Sequence, residues 1–307
     1  MFRQDRTNPS PAISNWRGRH DTPKGWPSTG VSTWLNGGLF GAAPLTAFGG
    51  IISQYTDSGT TYRVHTFRGN GKFLVSSGAA DVDWLIVAGG GGTGTGGGGA
   101  GGVLGSIAGA SGATTASGTY SVSAGTYTIV VGAGGTAGDN AGSAAGVSDG
   151  DDSTAFGYTA VGGGRNADGV GKVGGSGGGG HPGSAAGAGT SGQGYAGGSD
   201  ASAGGGGGGN GEAGNTDAAG YGGDGALHWG VTATAAGYAG GGGAGDYNTG
   251  VLKYGGTYGG GNGGLNADNA QSGVPNTGGG GGGRDSTPSS YDGRRGGAGI
   301  VLVRYEV

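Results

Sequence analysis

Two unbroken stretches of six glycines, residues 204–209 and 278–283, and four of four, residues 89–92, 96–99, 177–180 and 240–243, set the terms on which this chain can fold. Each glycine costs roughly 1 kcal/mol relative to alanine inside a helix, and it brings no side chain to bury. Helices and an ordinary side-chain core are therefore both excluded across most of the sequence. Glycine makes up 92 of 307 residues, but only 12 of these fall in residues 1–80, so 80 lie in the remaining 227. Collagen is ruled out, because glycine keeps no strict three-residue period and only 8 prolines are present.

Two readings of the runs compete. Gly-rich tracts usually act as flexible linkers. Here the residues between the runs are Ala, Asn, Asp, Tyr and Trp rather than a monotonous serine spacer, and the chain closes on the apolar segment "GIVLVRYEV", residues 299–307. The ordered alternative is a bundle of polyglycine II helices. These are extended, left-handed and threefold, rise about 3.1 Å per residue, and form no internal hydrogen bonds. Their backbone groups point outward, and neighbouring chains can pair with them only where no side chain intervenes. Cohesion then comes from backbone hydrogen bonds, each worth about 1 kcal/mol net, and from dense backbone packing. A six-residue run would span roughly 19 Å, with the intervening segments forming loops at both ends.

Strand signals frame the runs. "TYRVHTF" alternates Tyr62/Val64/Thr66 with Arg63/His65/Phe67, "RGNGK" (residues 68–72) offers a tight turn, and "KFLVS" follows. "DWLIVA" is a continuous apolar run of the kind buried on both faces. "GTYSVSAGTYTIVVGAGG" reads as a strand pair bent at Ala124-Gly125. The most apolar runs, Trp84 to Ala88 and Ile300 to Val303, predict that the chain end returns to pair beside residues 84–88 and pins the two ends of the glycine region together. The expected fold class is mainly β, with short strands near 60–88, 119–131 and 299–307 framing a polyglycine II bundle and almost no α-helix. The expected organisation is an irregular arm, residues 1–48, and a glycine-rich domain, residues 49–307.

Familiar site patterns fail on their physics. Gly92, Gly94 and Gly97 satisfy G-x-G-x-x-G after a strand, but no helix can follow them. No acidic residue occurs between Asp83 and Asp139 to hold a ribose. Lys72 and Lys172 are followed by Phe73 and Val173, where a phosphate loop needs Ser or Thr. The absence of cysteine removes thiolate chemistry and disulfides. His20, His65, His181 and His228 are too scattered for a metal-ligand spacing, and "DGDDS" at residues 149–153 reads as a solvated acidic turn in preference to a calcium loop. No catalytic residue, cofactor or metal is expected. Residues 1–80 carry 8 Lys/Arg against 3 Asp/Glu and residues 81–307 carry 7 against 16. Neither half has the clustered basic face of a nucleic-acid binder. No secretory or membrane-spanning apolar segment is expected either.

Pro9, Pro11, Pro23, Pro27 and Pro44 break the arm, which nonetheless holds Trp16, Trp26 and Trp34, with Arg17 and Arg19 beside the first. Tryptophans on a segment too irregular for its own core are buried either on a partner or back on the β part. The docking reading takes Trp16, Arg17, Arg19, Trp26 and Trp34 as its contacts.

"YRVHTFRGNGKFLVSSGAADVDWLIVAGGGG", then "YTIVVGAGG", then the six-glycine series and the closing "GGAGIVLVRY" resemble the glycine-rich domain of bacteriophage tail-fibre and adhesin-type virion proteins over about residues 50–305. The resemblance implies strands framing a polyglycine II layer, exposed loops that bind a host-surface receptor (a glycan or an outer-membrane protein), and a virion location reached by lysis. The arm lies outside the resemblance; its docking reading gives other virion proteins as partners, and a homo-oligomer is a further expected assembly. Carried onto this chain, receptor contact falls on loops holding aromatic or polar groups: His181, His228 and Trp229, Asp246, Tyr247, Asn248, Lys253, Tyr254 and Tyr258, and Arg284, Asp285, Tyr291 and Asp292. The core of that set is Trp229, His228, Tyr247, Tyr254, Tyr258, Tyr291 and Asp246. The competing role for the same aromatics is to cap the ends of the glycine layer. A decoration protein with no receptor role is the alternative function.

Overall fold

The structure, a computed structural model, describes residues 44–109, 112–138, 146–200, 204–246, 250–265, 270–285 and 293–307. The chain divides into two compact units, Met1–Pro44 and Leu45–Val307. All described residues except Pro44 lie in the second unit, so the docking set Trp16, Arg17, Arg19, Trp26 and Trp34 falls outside them, as do Tyr247 and Tyr291.

Among the described residues the fold is mainly β, without helix. The strands are β1 (Thr46–Phe48), β2 (Ile51–Asp57), β3 (Thr60–Phe67), β4 (Gly71–Val87), β5 (Val103–Gly105), β6 (Tyr120–Ile129), the hairpins β7 (Ser153–Ala155) with β8 (Tyr158–Ala160), β9 (Asn166–Ala167) with β10 (Val170–Gly171) and β11 (Ala226–His228) with β12 (Ala236–Tyr238), and the closing β13 (Ile300–Glu306). A seven-stranded antiparallel sheet, curled into a half-barrel, runs in the order β1-β4-β13-β3-β2, with β5 and β6 also paired to β4. β13 lies against β4 with Ile300 opposite Val87 and Val303 opposite Trp84. Its other side lies against β3, with Val301 opposite Phe67 and Glu306 opposite Tyr62.

Two expected turns take a different form. β3 and β4 do not pair across residues 68–70, because the closing strand occupies the place between them. Its apolar alternation serves two faces there. Val301, Val303 and Tyr305 join Trp84, Ile86, Phe73, Val75 and Phe67 in one core cluster, while Ile300 and Leu302 join Leu85, Val87 and Val103 in another. Nor is there a bend at Ala124-Gly125, since β6 is one continuous strand. The irregularity sits opposite, on β4, whose register shifts between Val75 and Ala79 beside Gly78 at φ +80°. Such a bulge bends a strand and increases its twist, so β4 can pair with β1 and β6 along one part and with β13 and β5 along the next.

Past Val87 the chain leaves the sheet as glycine helices, and their hydrogen bonds repeat every three residues. The N–H of Gly97 donates to Gly205 (3.0 Å), Gly98 to Gly281 (2.9 Å) and Gly99 to Gly164 (2.9 Å). The sequence then returns to the same three neighbours: Ala100 to Gly208 (2.9 Å), Gly101 to Gly278 (2.8 Å) and Gly102 to Val161 (2.8 Å). A donor step of +3 meets an acceptor step of +3 on a parallel neighbour and of −3 on an antiparallel one, as a threefold helix requires. The carbonyls of residues 97–102 accept from three more segments: Ala88 and Gly91 from one, Ser176 and Gly179 from a second, and Gly242 from a third. Six neighbours surround one helix, and each of the three side directions carries backbone instead of a side chain.

The need for glycine in this layer arises from close approach. Apart from Gly204 and Gly278, the first residues of the two six-glycine runs, no glycine of the runs has positive φ. A Cβ on Gly98, however, would fall inside the contact distance of Gly91 O, one on Gly207 would strike Gly98 O, and one on Gly280 would strike Gly98 O from another side. Alanine is admitted where its methyl finds room, as Ala100 does toward Leu85, Val87, Val103 and Leu302 of the sheet.

Candidate functional site

The glycine helices cross the layer between a sheet end and a far end. Residues 88–94 leave the sheet, so Ala88 and its partner Gly102 mark the sheet end, and Thr93, bonded to Arg294, marks the far end. Residues 278–283 run away from the sheet, since Gly101 binds Gly278 and Gly98 binds Gly281. The bonds from Gly283 to Gly243 and from Gly264 to Gly283 place those residues at the far end, with Lys253 beside them through the Gly263–Lys253 bond (2.9 Å). At about 3.1 Å per residue the two ends are separated by roughly 16–19 Å.

The receptor-contact set divides between these ends. His228, Trp229 and Tyr258 gather around the β11–β12 hairpin at the sheet end, where the Tyr258 ring lies directly against Gly237. Asp246 and Tyr254 belong to the far end. Asp246 is buried, its Oδ2 accepting the Gly250 N–H at 3.0 Å. Tyr254 is 51% exposed and packs edge-to-face on Tyr221 with ring centroids 5.6 Å apart. Tyr258, 42% exposed, holds a left-handed backbone at φ +65°. One surface cannot include Trp229 and Tyr254 together.

At the sheet end the aromatics mainly serve the fold. Trp229 is half-buried against the second core cluster, and its ring covers the Arg304 guanidinium at 4.5 Å, with Tyr62 on that group at 4.6 Å. Arg304 Nε donates to Asp83 (3.0 Å) and its NH1 to the Tyr55 hydroxyl (2.7 Å). Burial opposes the Arg304 charge, but the hydrogen bonds it donates to Tyr55 and Asp83 outweigh it and raise the pKa further. His228 is buried and paired through Nε2 to Asn210 Oδ1 at 3.2 Å, while its Nδ1 has no partner. Desolvation pushes its pKa down to about 4, so at neutral pH the ring is uncharged. His65 is also buried, its Nδ1–H donating to Gly49 C=O at 2.7 Å, and burial lowers its pKa despite that bond.

The patterns set aside on sequence grounds have definite structural roles. The Gly92, Gly94 and Gly97 N–H groups donate to Ser148, Asn166 and Gly205, and none is left for a phosphate. In the acidic turn, Asp149 pairs with Arg165 and accepts its backbone N–H (2.9 Å), and Asp152 accepts Gly162 N–H (2.8 Å). A different carboxylate group was not legible in sequence: Glu212, Asp217 and Asp224 bring one oxygen each within 4.8 Å of one another. Burial raises the Glu212 pKa, and Asp217 and Asp224 add to the rise against the lowering hydrogen bond from Asp224. Two of these acids already serve the backbone, Glu212 accepting Asp224 N–H at 3.3 Å and Asp224 accepting Thr257 N–H at 2.6 Å.

Polar side chains that fasten the layer were missed as well. Asn166 and Asn210 are fully buried. Asn166 donates to Gly179 O (2.6 Å) and accepts Thr95 N–H (3.2 Å), and Asn210 donates to Gln193 O (2.8 Å). The available signal was their position, since both stand at or just past the end of a glycine run.

A family profile described as a glycine-rich domain matches residues 65–306. The chain belongs to that glycine-rich domain family. The match begins at His65 in β3 and ends at Glu306 in β13, so it takes in the whole glycine layer and the framing strands from the end of β3 onward, with β1 and β2 before it. No curated protein matches the chain. Among the described residues no helix is long and apolar enough to cross a membrane.

Proposed function

We propose that this glycine-rich domain protein is a bacteriophage virion component, a tail fibre or adhesin, that attaches to other virion proteins through residues 1–48 and binds a host-surface receptor through the far end of its glycine layer. The observation that carries the reading is the rigid layer itself. Backbone hydrogen bonds tie every strand of it to its neighbours and to the sheet, and its far end still leaves Tyr254 and Val251 about half exposed. Rigid placement of an exposed aromatic lowers the entropy lost on binding.

The alternative is a decoration protein that uses the same layer as an inert knob. The burial of His228 and Asp246 and the stacking of Trp229 on Arg304 favour it, because those groups are engaged within the fold. The test is saturable binding of the labelled full chain to a panel of candidate host cells. Tyr254→Ala is expected to abolish adsorption, and Trp229→Phe, at the other end, to retain it. A folded protein that adsorbs to no cell would leave the decoration reading standing. Deleting residues 1–44 is expected to abolish incorporation into particles while the circular dichroism of the domain persists.

A further inference from the structure

The edges of the sheet are not alike. β1 is three residues long, and its register on β4 is irregular between Thr46 and Ala47. β6 is held in part by its own Tyr127, whose hydroxyl accepts Ser123 N–H at 2.9 Å and donates to Ser123 C=O at 3.1 Å. Short strands, irregular pairing and backbone groups already taken up are usual protections of an edge. β2 has none of them. It pairs with β3 through seven residues without a break, carries no Lys, Arg or Pro, and ends the sheet on its side. Ile51 is 58% and Ile52 47% exposed.

The ladder fixes which backbone groups of β2 are free. Thr61 C=O accepts Val307 N–H at 2.9 Å, so the main chain of Thr61 faces the closing strand. Antiparallel bonding alternates along a strand, so Thr60, Tyr62, Val64 and Thr66 face β2, where Asp57, Tyr55, Ser53 and Ile51 meet them. The N–H and C=O groups of Ile52, Gln54 and Thr56 therefore point away from the sheet, and no described residue bonds to them.

The charges beside this edge select the strand that fits it. Asp57 is the one charged residue of β2. An antiparallel second copy centred on Gln54 sets Gln54 opposite Gln54 and Ile52 opposite Thr56, and each of these pairs exchanges two backbone bonds. The same register sets Asp57 of each copy opposite Ile51 of the other. Opposed residues share a face of the sheet, and the face of Ile51 also holds Arg68. That arginine stands two residues beyond Thr66, which is opposite both Ile51 and Leu302, and its charge acts on Tyr238, a neighbour of Leu302 in the second core cluster. Each lone carboxylate thus approaches a guanidinium and not its own kind.

We propose that the protein is a dimer of identical chains, joined by antiparallel pairing of β2 with β2 about Gln54 so that the sheet continues across the two-fold axis. Self-pairing uses up the edge on both copies, and assembly stops at two. The dimer does not depend on the receptor reading.

The test is light scattering of the purified full chain over a concentration series. A mass twice that of one chain is expected, with a Kd on the order of 10 μM for a single strand pair. Gln54→Pro removes an outward N–H and no bond to β3, so it is expected to keep the circular dichroism and abolish the dimer. Gln54→Lys changes one exposed side chain, sets two ammonium groups against each other on the axis, and is expected to do the same even if the proline disturbs the strand. Asp57→Arg and Arg68→Asp are each expected to weaken the dimer about tenfold, and the two together to restore it. The amides of Ile52, Gln54 and Thr56 are expected to exchange hydrogen more slowly as the dimer forms. The proposal is overturned if the wild type stays monomeric up to about 1 mM, if folded Gln54→Lys dimerises like the wild type, or if the double charge reversal does not restore what each single one loses. It is also overturned if those three amides are already protected in the monomer, since something other than a second copy would then cover β2.

Discussion

The sheet and the glycine layer of this domain are held together by opposite means. In the sheet, Trp84, Phe73, Ile86 and Leu302 are fully buried, and the side chains supply the cohesion. In the layer, helices such as residues 97–102 bury almost no side chain and bond to six neighbours through the main chain. The rules for substitution are consequently reversed. The sheet fails when a side chain is removed, and the layer fails when one is added.

The largest effect should come from adding a single methyl at the centre of the layer. Gly98→Ala would drive a Cβ into Gly91 O, with Gly281 N close by, and both neighbours are backbone that cannot swing aside. We expect a loss of about 5 kcal/mol or failure to fold, measured by urea denaturation. Near-normal stability would mean that the layer is looser than its hydrogen bonds imply. Trp84→Ala tests the other half of the comparison. The indole is fully buried, stacks on Tyr158 at 4.2 Å and donates Nε1–H to Gly118 C=O, so about 4 kcal/mol should be lost.

A smaller effect arises where the two regions meet. Burial lowers the folded pKa of His228 to about 4 and also lowers that of His65. As pH falls below about 6.5 the unfolded chain takes up protons that the native state refuses. Stability is therefore full above that pH and declines down to about 4 for His228, a contribution on the order of 3 kcal/mol. Denaturant titrations across this range should show the slope, and His228→Gln should flatten it. The smallest effect belongs to Gly69→Ala. Gly69 has negative φ and open space around its would-be Cβ, so a change within about 0.5 kcal/mol is expected by the same titration. A large loss there would show that glycine is needed for reasons other than close approach.

The strands were legible where apolar alternation was strong, as in Thr60–Phe67 and Ile300–Glu306. Their neighbours were less so. "RGNGK" has the chemistry of a tight turn, yet β3 and β4 are separated by β13, because β13 buries apolar residues on both faces. Aromatic residues between glycine runs were visible as a class. Their grouping was not, since loop residues adjacent in sequence number, such as Tyr254 and Tyr258, emerge at opposite ends after one crossing of the layer. Lys253 appeared among the candidate contacts only as a polar residue near tyrosines. The burial of its stem depends on how residues 220–221 and 253–254 pass each other.

The sequence by itself determined the kind of cohesion. Runs of glycine with negligible helix propensity, closed by an apolar strand, leave backbone-bonded threefold helices as the ordered state. Only the tertiary structure decided which helix neighbours which, and so which side chains share an end. A glycine helix carries no side chain to encode its partner, so register and neighbour choice are set collectively by the surrounding strands, by buried pins such as Asn166 and Asn210, and by the few positions where a Cβ fits.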